Sequence, residues 1–89
     1  MKEVRTFSLK NELGLHARAA AMLVAVSSKF KSKVIFERDG KEINGKSILG
    51  ILTLACPKGS HITIRAEGDD ALEVMQQLGD LIEGKFGED

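Results

Sequence analysis

The chain has 89 residues, 43% of them hydrophobic and 29% charged, and its 13 basic side chains balance 13 acidic ones. This composition is typical of one small globular domain, which we expect to span residues 1–89. A neutral chain without a long apolar run argues against nucleic-acid and membrane partners. The single Cys56 cannot form an internal disulfide, so we expect a cytoplasmic protein.

The first half of the chain predicts a strand, a helix and a hairpin in that order. Residues 2–9 mix charged and apolar side chains and predict an edge strand. Alanine and leucine dominate residues 17–30, which predict a helix with one apolar stripe. The pair Asp39-Gly40 follows the β-branched and aromatic segment 33–38, and this pair is typical of a type I′ hairpin turn.

The second half predicts a short helix, a strand and a longer helix. Residues after Ser47 suit a strand or a helix, but Ser47 as N-cap favours a helix, which Gly50 keeps short. Residues 61–67 alternate apolar and polar side chains, as a half-buried strand does. Gly68-Asp69-Asp70 is predicted to start the last helix, with acidic residues in its first turn where the helix dipole favours them, and we expect this helix to stop at Gly84. Its predicted apolar stripe is Ala71, Val74, Met75, Leu78 and Ile82.

The predicted order of elements is β-α-β-β-α-β-α. Short turns between neighbouring strands make a sheet largely antiparallel, and helices of this length must cover one of its faces. We therefore predict an α+β fold, a two-layer open-faced β-sandwich. Its four-stranded, mainly antiparallel sheet is covered on one face by three helices.

Residues 14–18, GLHAR, put a histidine and an arginine where the first helix is predicted to begin. If Ala17 is the first helical residue, His16 is the N-cap and lies beside unpaired backbone N–H groups of partial positive charge. That field favours a neutral ring, whose lone pair can act as a nucleophile. The Ala17 N–H and Arg18 could then bind an added phosphoryl group. An ordinary capping or solvated histidine is the alternative that the spacing leaves open.

A second helix start, at Ser47, raises a similar question. The Ser47 hydroxyl would lie near free amides, with Lys46 adjacent, in a place that suits a phosphate. Its alternative role is to cap the helix and nothing more. The nearby Ile48, Leu49 and Leu52 form an apolar contact patch if they are exposed, and otherwise belong to the core.

Three segments together resemble the HPr family, the histidine-containing phosphocarriers of the bacterial phosphoenolpyruvate-dependent phosphotransferase system (PTS). They are GLHAR around His16, NGKSILG around Ser47, and RAEGDDALE before the last helix. The likeness spans essentially the whole chain. It implies a carrier rather than an enzyme, without cofactor or metal. Such a carrier accepts a phosphoryl group from enzyme I on Nδ1 of His16 and passes it to enzyme IIA domains.

The resemblance also implies roles for the residues around His16 and Ser47. Arg18 matches the family's phosphate-contacting arginine, and Ser47 matches the serine phosphorylated by HPr kinase/phosphorylase in many bacteria. We expect the carrier to act as a monomer. Positions of the family's docking surface match Ala21, Ile48, Leu49 and Leu52.

The chain departs from the family pattern at Ala19, where a proline is usual. Alanine restores a backbone N–H and fits a helix well, so we expect the helix to persist. The ending EGKFGED and the segment LTLACPKG are similar to a nitrogen-linked branch of the family, whereas NGKSILG is similar to the sugar-transport branch. Both branches stay open.

Other classes of function fit the sequence less well. An RNA-binding sheet needs exposed aromatic side chains, and the chain has no Tyr or Trp. His16, His61 and Cys56 lack any standard metal-ligand spacing, so we expect no metal. No paired carboxylates or serine triad suggest a hydrolase. The serious alternative is a regulatory interaction module of the same fold, acting through Ser47 and the Ile48/Leu49 patch.

Overall fold

The strands and helices follow the predicted order β-α-β-β-α-β-α, in a computed structural model that describes residues 1–88. The elements are β1 (Lys2–Ser8), α1 (Ala17–Ser27), β2 (Lys33–Arg38), β3 (Lys41–Asn44), α2 (Ile48–Leu52), β4 (His61–Glu67) and α3 (Ala71–Glu83). A 3₁₀ helix, Lys85–Gly87, follows α3 and was not predicted. The predicted α+β fold class is confirmed.

The four strands form one antiparallel sheet in the order β1-β4-β2-β3. On one face, cross-strand neighbours such as Phe36 and Ile64 are buried beneath the helices, because strand side chains alternate between the two faces. The opposite face is open and mixes polar side chains with the exposed Val4 and the half-buried Ile35. There Thr6 and Thr63 bond through their hydroxyls at 2.9 Å, and Arg65 pairs with neighbouring carboxylates.

The helices pack on the sheet through the residues that the sequence pattern indicated. All five residues predicted for the apolar stripe of α3 are buried. Helix α1 contacts both α2 and α3, so the three helices form one layer. The predicted hairpin turn is confirmed, since both Asp39 (φ 52°) and Gly40 (φ 82°) have the positive φ that a type I′ turn requires.

Helix α1 ends earlier than predicted. It stops at Ser27, and Ser28 closes it by donating its backbone N–H to the carbonyl of Val24. Serine side chains compete for backbone hydrogen bonds and weaken the end of a helix. Phe30 lies beyond the helix but still packs against the core, and its carbonyl accepts a hydrogen bond from Lys46 Nζ at 2.9 Å.

Cys56 is buried in the core, and burial raises the pKa of its thiol. Helices long and apolar enough to span a bilayer do not occur within residues 1–88.

Candidate functional site

His16 is the N-cap of α1, as the sequence predicts. Its backbone is extended (φ −77°, ψ 176°), and its carbonyl accepts the first intrahelical hydrogen bond, from the Ala20 N–H at 2.9 Å. The N–H groups of Ala17, Arg18 and Ala19 therefore have no intrahelical acceptor. The first turn thus presents three amide donors, together with the positive end of the helix dipole. Helix α1 begins at Ala17 with the buried Ala19 in its first turn, so the helix forms with alanine at this position, as expected.

A tight turn ahead of α1 fixes where His16 lies. Gly14 has φ +62°, and a Cβ at this position would lie 2.3 Å from the carbonyl oxygen of Cys56. The same oxygen accepts the Leu15 N–H at 2.8 Å, and the Leu15 side chain is buried in the core. The glycine of the GLHAR motif is therefore required by both its conformation and its close contact.

Within residues 1–88, the imidazole of His16 forms a hydrogen bond through one of its two nitrogens. Its Nε2 lies 2.8 Å from Oε2 of Glu88, while the ring makes no hydrogen bond to the first-turn amides. The two side chains are partly shielded, at 25% exposure for His16 and 17% for Glu88. Nδ1, on the other edge of the ring, is left for another partner.

Arg18 and Ala17 occupy the exposed side of the same turn. None of the ion pairs formed within residues 1–88 involves Arg18. Its guanidinium can therefore turn toward an anion at the helix start without first breaking a salt bridge.

Ser47 caps α2 and is half-buried. Its Oγ accepts a hydrogen bond from the Gly50 N–H at 3.0 Å, which is the N-cap contact predicted from the sequence. The Lys46 side chain does not lie ready beside this hydroxyl, because its Nζ is bonded to the carbonyl of Phe30. Negative charge added at Ser47 would therefore lie at the N-terminus of α2 without a lysine side chain already positioned to pair with it.

The predicted docking residues divide into exposed and packed members. Leu49 is 77% exposed and Ile48 41% exposed, and Ala21 is also exposed on α1. Leu52 differs from them, because it is half-buried and packs against the core. Leu13, which no sequence pattern singled out, is 67% exposed just ahead of the His16 turn.

Two polar residues near His16 were also missed. Asn11 is buried and donates Nδ2 both to the Gly14 carbonyl, at 2.7 Å, and to Oε2 of Glu88, at 2.8 Å. Glu88 lies 72 residues from His16 along the chain, so no local pattern could join them. A hydrophobic Phe86 after the glycine stop was the available sign that the ending folds back onto the domain.

The part of the chain that the structure describes contains no group of three His, Cys, Asp or Glu side chains arranged to hold a metal ion. His61 begins β4 at the surface, and Cys56 is buried below the turn that precedes α1. The groups that meet at the start of α1 are the His16 imidazole with its Glu88 carboxylate partner, the free first-turn amides and the exposed Arg18.

Comparison with known proteins identifies the family. The family model described as "PTS HPr component phosphorylation site" matches residues 4–84. The phosphocarrier protein HPr of Xylella fastidiosa strain Temecula1 is 45% identical over 82 residues, which is 92% of each chain.

Solved structures agree with this assignment. The crystal structure of HPr-C-His from Thermoanaerobacter tengcongensis superposes with a TM-score of 0.94 at 47% identity, covering 98% of both chains. An HPr dimer from the same organism gives 0.79 at 50% identity, covering 99% of this chain and all of the other. The chain belongs to the HPr family of the phosphotransferase system, whose members are phosphocarrier proteins and not enzymes.

Proposed function

We propose that this chain is a cytoplasmic phosphoryl relay that accepts a phosphoryl group from enzyme I on His16 and passes it to enzyme IIA domains. The observation that carries the proposal is the position of His16 as N-cap of α1, ahead of three amides without intrahelical acceptors. Imidazole is a competent nucleophile when its lone pair is free, and the Nδ1 edge of this ring is unoccupied by residues 1–88.

The same helix end supports the phosphorylated state. A phosphoryl group on the ring carries negative charge, which is stabilised by backbone N–H donors at the start of a helix. The exposed Arg18 adds a forked donor to that charge from the same turn. Because these contacts are few and open to solvent, the phosphoryl group stays accessible to the next acceptor.

Docking to enzyme I and enzyme IIA uses the apolar patch, which we define as Leu13, Ala21, Ile48 and Leu49. Helices α1 and α2 pack against each other, so these exposed side chains can serve one contact surface beside the helix start. A contiguous exposed apolar patch, unlike single exposed side chains, is typical of interaction sites. Leu52 supports the patch from beneath, since it packs partly into the core.

Phosphorylation of Ser47, by a partner of the HPr kinase/phosphorylase type, would regulate this docking. A phosphoserine adds almost two negative charges directly before Ile48 and Leu49. That charge must lose water when an apolar or acidic partner surface covers the patch, which weakens docking. If the relay were absent and this effect present, the chain would instead be a regulatory interaction module.

Incubation with enzyme I and phosphoenolpyruvate tests the acceptor. We expect one acid-labile phosphate per chain in the wild type and in His61→Ala, and none in His16→Ala. His61 is the matched control because it is the other histidine of the chain and lies exposed at the start of β4. Equal labelling of His16→Ala and the wild type would assign the phosphate to a different residue.

Arg18→Ala separates the guanidinium from the backbone donors. We expect transfer to slow by about tenfold or less, because an exposed charged hydrogen bond contributes modestly and the amides remain. The control is Arg5→Ala, since Arg5 is exposed on β1. An unchanged rate in Arg18→Ala would remove Arg18 from the site.

The acceptor decides between the sugar and nitrogen branches. Phosphorylated carrier is mixed with single enzyme IIA domains of each class from the same cell, and the domain that is labelled fastest identifies the branch. We propose that the monomer is the working form, because one chain supplies the histidine, the amides and the arginine. Light scattering of the carrier during transfer tests this, and a rate proportional to the dimer fraction would contradict it.

A further inference from the structure

The segment after α3, residues 85–88, folds back onto the His16 turn and brings a carboxylate to the imidazole. Glu88 Oε2 lies 2.8 Å from both His16 Nε2 and Asn11 Nδ2, and Oε1 accepts the Leu13 N–H at 3.4 Å. One carboxylate therefore joins the imidazole to the buried Asn11 and to the backbone of the preceding loop. Because Glu88 is itself held by Asn11 and the Leu13 N–H, its hydrogen bond to Nε2 fixes both the orientation of the His16 ring and its distance from the carboxylate.

The position of Glu88 is determined by the fold, because the residues before it are anchored. Phe86 is 2% exposed in the core, and Lys10 bonds Glu83 at 2.6 Å near the end of α3. Lys85 (φ 56°) and Phe86 (φ 54°) both adopt a left-handed conformation that is costly for residues other than glycine. Burial of the phenyl ring offsets that cost, so the chain end is held over the site.

Glu88 is ionised in this arrangement. Burial raises the pKa of its carboxyl group, but the hydrogen bonds from Asn11 and His16 outweigh burial and bring the pKa below its ordinary value. An ionised carboxylate only accepts hydrogen bonds, so the nitrogen that faces it must carry the proton.

We propose that Glu88 is a positioning residue for His16: it accepts the Nε2–H and thereby presents the Nδ1 lone pair to the incoming phosphoryl group. A histidine nitrogen is protonated or free according to the hydrogen bond that the other nitrogen makes. Here the proton is held at Nε2, on the ring edge away from the reacting atom. This role rests on the proposed function, since it concerns how the acceptor is prepared.

The transfer step follows from that tautomer. The Nδ1 lone pair forms the N–P bond while the bond between phosphorus and the donor breaks, and its electron pair leaves with the donor. The proton on Nε2 stays in place. The ring gains positive charge as the N–P bond forms, and the Glu88 carboxylate stabilises that charge through the existing hydrogen bond. Transfer to the next acceptor reverses these changes.

Nuclear magnetic resonance of ¹⁵N-labelled protein tests the contact without any phosphoryl transfer. We expect a slowly exchanging, downfield-shifted His16 Nε2–H signal in the wild type and in Glu83→Ala, and its loss in Glu88→Ala. Glu83 is the matched control because it is a carboxylate of the same chain end whose partner is Lys10. A signal absent from the wild type, or retained in Glu88→Ala, would overturn the positioning role.

Kinetics with phosphorylated enzyme I provide the second readout. We expect kcat for phosphoryl transfer from enzyme I to fall by about tenfold in Glu88→Ala. This is the lower end of the decrease in activity that follows when the partner orienting a functional histidine is removed. KM should stay near the wild-type value, and Glu88→Gln should recover part of kcat because its amide oxygen can still accept the Nε2–H. A change in KM alone, or wild-type kcat in Glu88→Ala, would refute the role.

The two assays separate this inference from the proposed function. A wild type that accepts phosphate on His16 without the Nε2–H signal would refute the role of Glu88 and leave the relay intact. A wild type that shows the signal but is never labelled would refute the relay, and the tautomer assignment would stand as a property of the folded protein.

Discussion

Replacing Gly14 by alanine tests whether the turn ahead of His16 is as constrained as its geometry indicates. Gly14 and Gly59 both have positive φ, at +62° and +89°, but their surroundings differ. A Cβ on Gly14 would lie 2.3 Å from the Cys56 carbonyl oxygen and 2.9 Å from the Cα of Pro57, whereas nothing lies within 4 Å of a Cβ on Gly59. The pair therefore separates backbone conformation from steric overlap.

The expected magnitudes follow from those contacts. A left-handed alanine costs about 1 kcal/mol, which is the whole penalty expected for Gly59→Ala. Gly14→Ala adds about 1–3 kcal/mol for a displaced backbone. It also weakens the Leu15 N–H bond to the same Cys56 oxygen, which costs about 1 kcal/mol. We expect Gly14→Ala to lower the free energy of unfolding by about 3–5 kcal/mol in total, since these costs combine.

Thermal and urea denaturation, followed by circular dichroism, measure the difference. For a domain of this size, about 1 kcal/mol shifts Tm by roughly 4–8 °C, so Gly59→Ala should lose about 5 °C and Gly14→Ala about 15–25 °C. The loss at Gly14 is a large share of the roughly 4–13 kcal/mol expected for the whole domain. Equal losses in the two variants would refute the claim that steric contact with Cys56 fixes this turn.

Four other residues give predictions of different kinds. Phe86→Ala should lower Tm, because the phenyl ring is buried. The decrease should be smaller than that caused by the loss of about 3–5 kcal/mol expected for a central core phenylalanine, since the segment after α3 can detach without unfolding the domain. An unchanged Tm would mean that Phe86 does not anchor this segment. The Ser32 hydroxyl and two backbone amides hold the pKa of Asp70 below its ordinary value. Its contribution to stability is therefore complete above the unfolded pKa of about 3.9 and lost as pH falls through the lower folded value. In urea titrations, wild type and Asp70→Asn should converge toward acid pH, and a constant difference would contradict this. Ser47→Ala should lose about 1 kcal/mol with the N-cap of α2, as measured by urea, whereas wild-type stability would mean that the cap contributes nothing. Leu49→Ser should keep stability within about 0.5 kcal/mol yet weaken enzyme I binding in calorimetry, and unchanged affinity would exclude Leu49 from the docking surface.

The parts of the fold that the sequence predicted depend on short-range signals. The Asp39-Gly40 pair specifies its own turn, because both residues must tolerate positive φ whatever packs around them. The stripe of α3 repeats with the period of a helix, so its buried face follows from spacing. The position of His16 as N-cap of α1 could also be predicted from short-range signals, because an alanine-rich helix directly follows a glycine turn.

The sequence was less informative where tertiary packing overrides local preference. Gly84 ends α3 as predicted, but it is not the left-handed residue that usually closes a helix, since its φ is −83°. Lys85 and Phe86 adopt that conformation instead. Burying a phenylalanine side chain contributes about 1.5–3 kcal/mol, which is enough to offset a left-handed cost of about 1 kcal/mol at each of two residues. No local sequence pattern predicts that burial of Phe86 outweighs the cost of two left-handed residues.

The candidate site combines both kinds of information, and each decides a different part of the chemistry. The local pattern around His16 supplies free amides and Arg18, which are the groups that could bind an anion under the proposed function. Those groups do not determine which ring nitrogen carries the proton, because none of the amides is bonded to the ring. Among residues 1–88, the hydrogen-bond partner of the ring is the distant Glu88, positioned by Asn11 and the buried Phe86, and in our proposal its contact with Nε2 distinguishes Nε2 from Nδ1. A variant that retains GLHAR but loses this carboxylate should therefore still stabilise a phosphoryl group while accepting it more slowly.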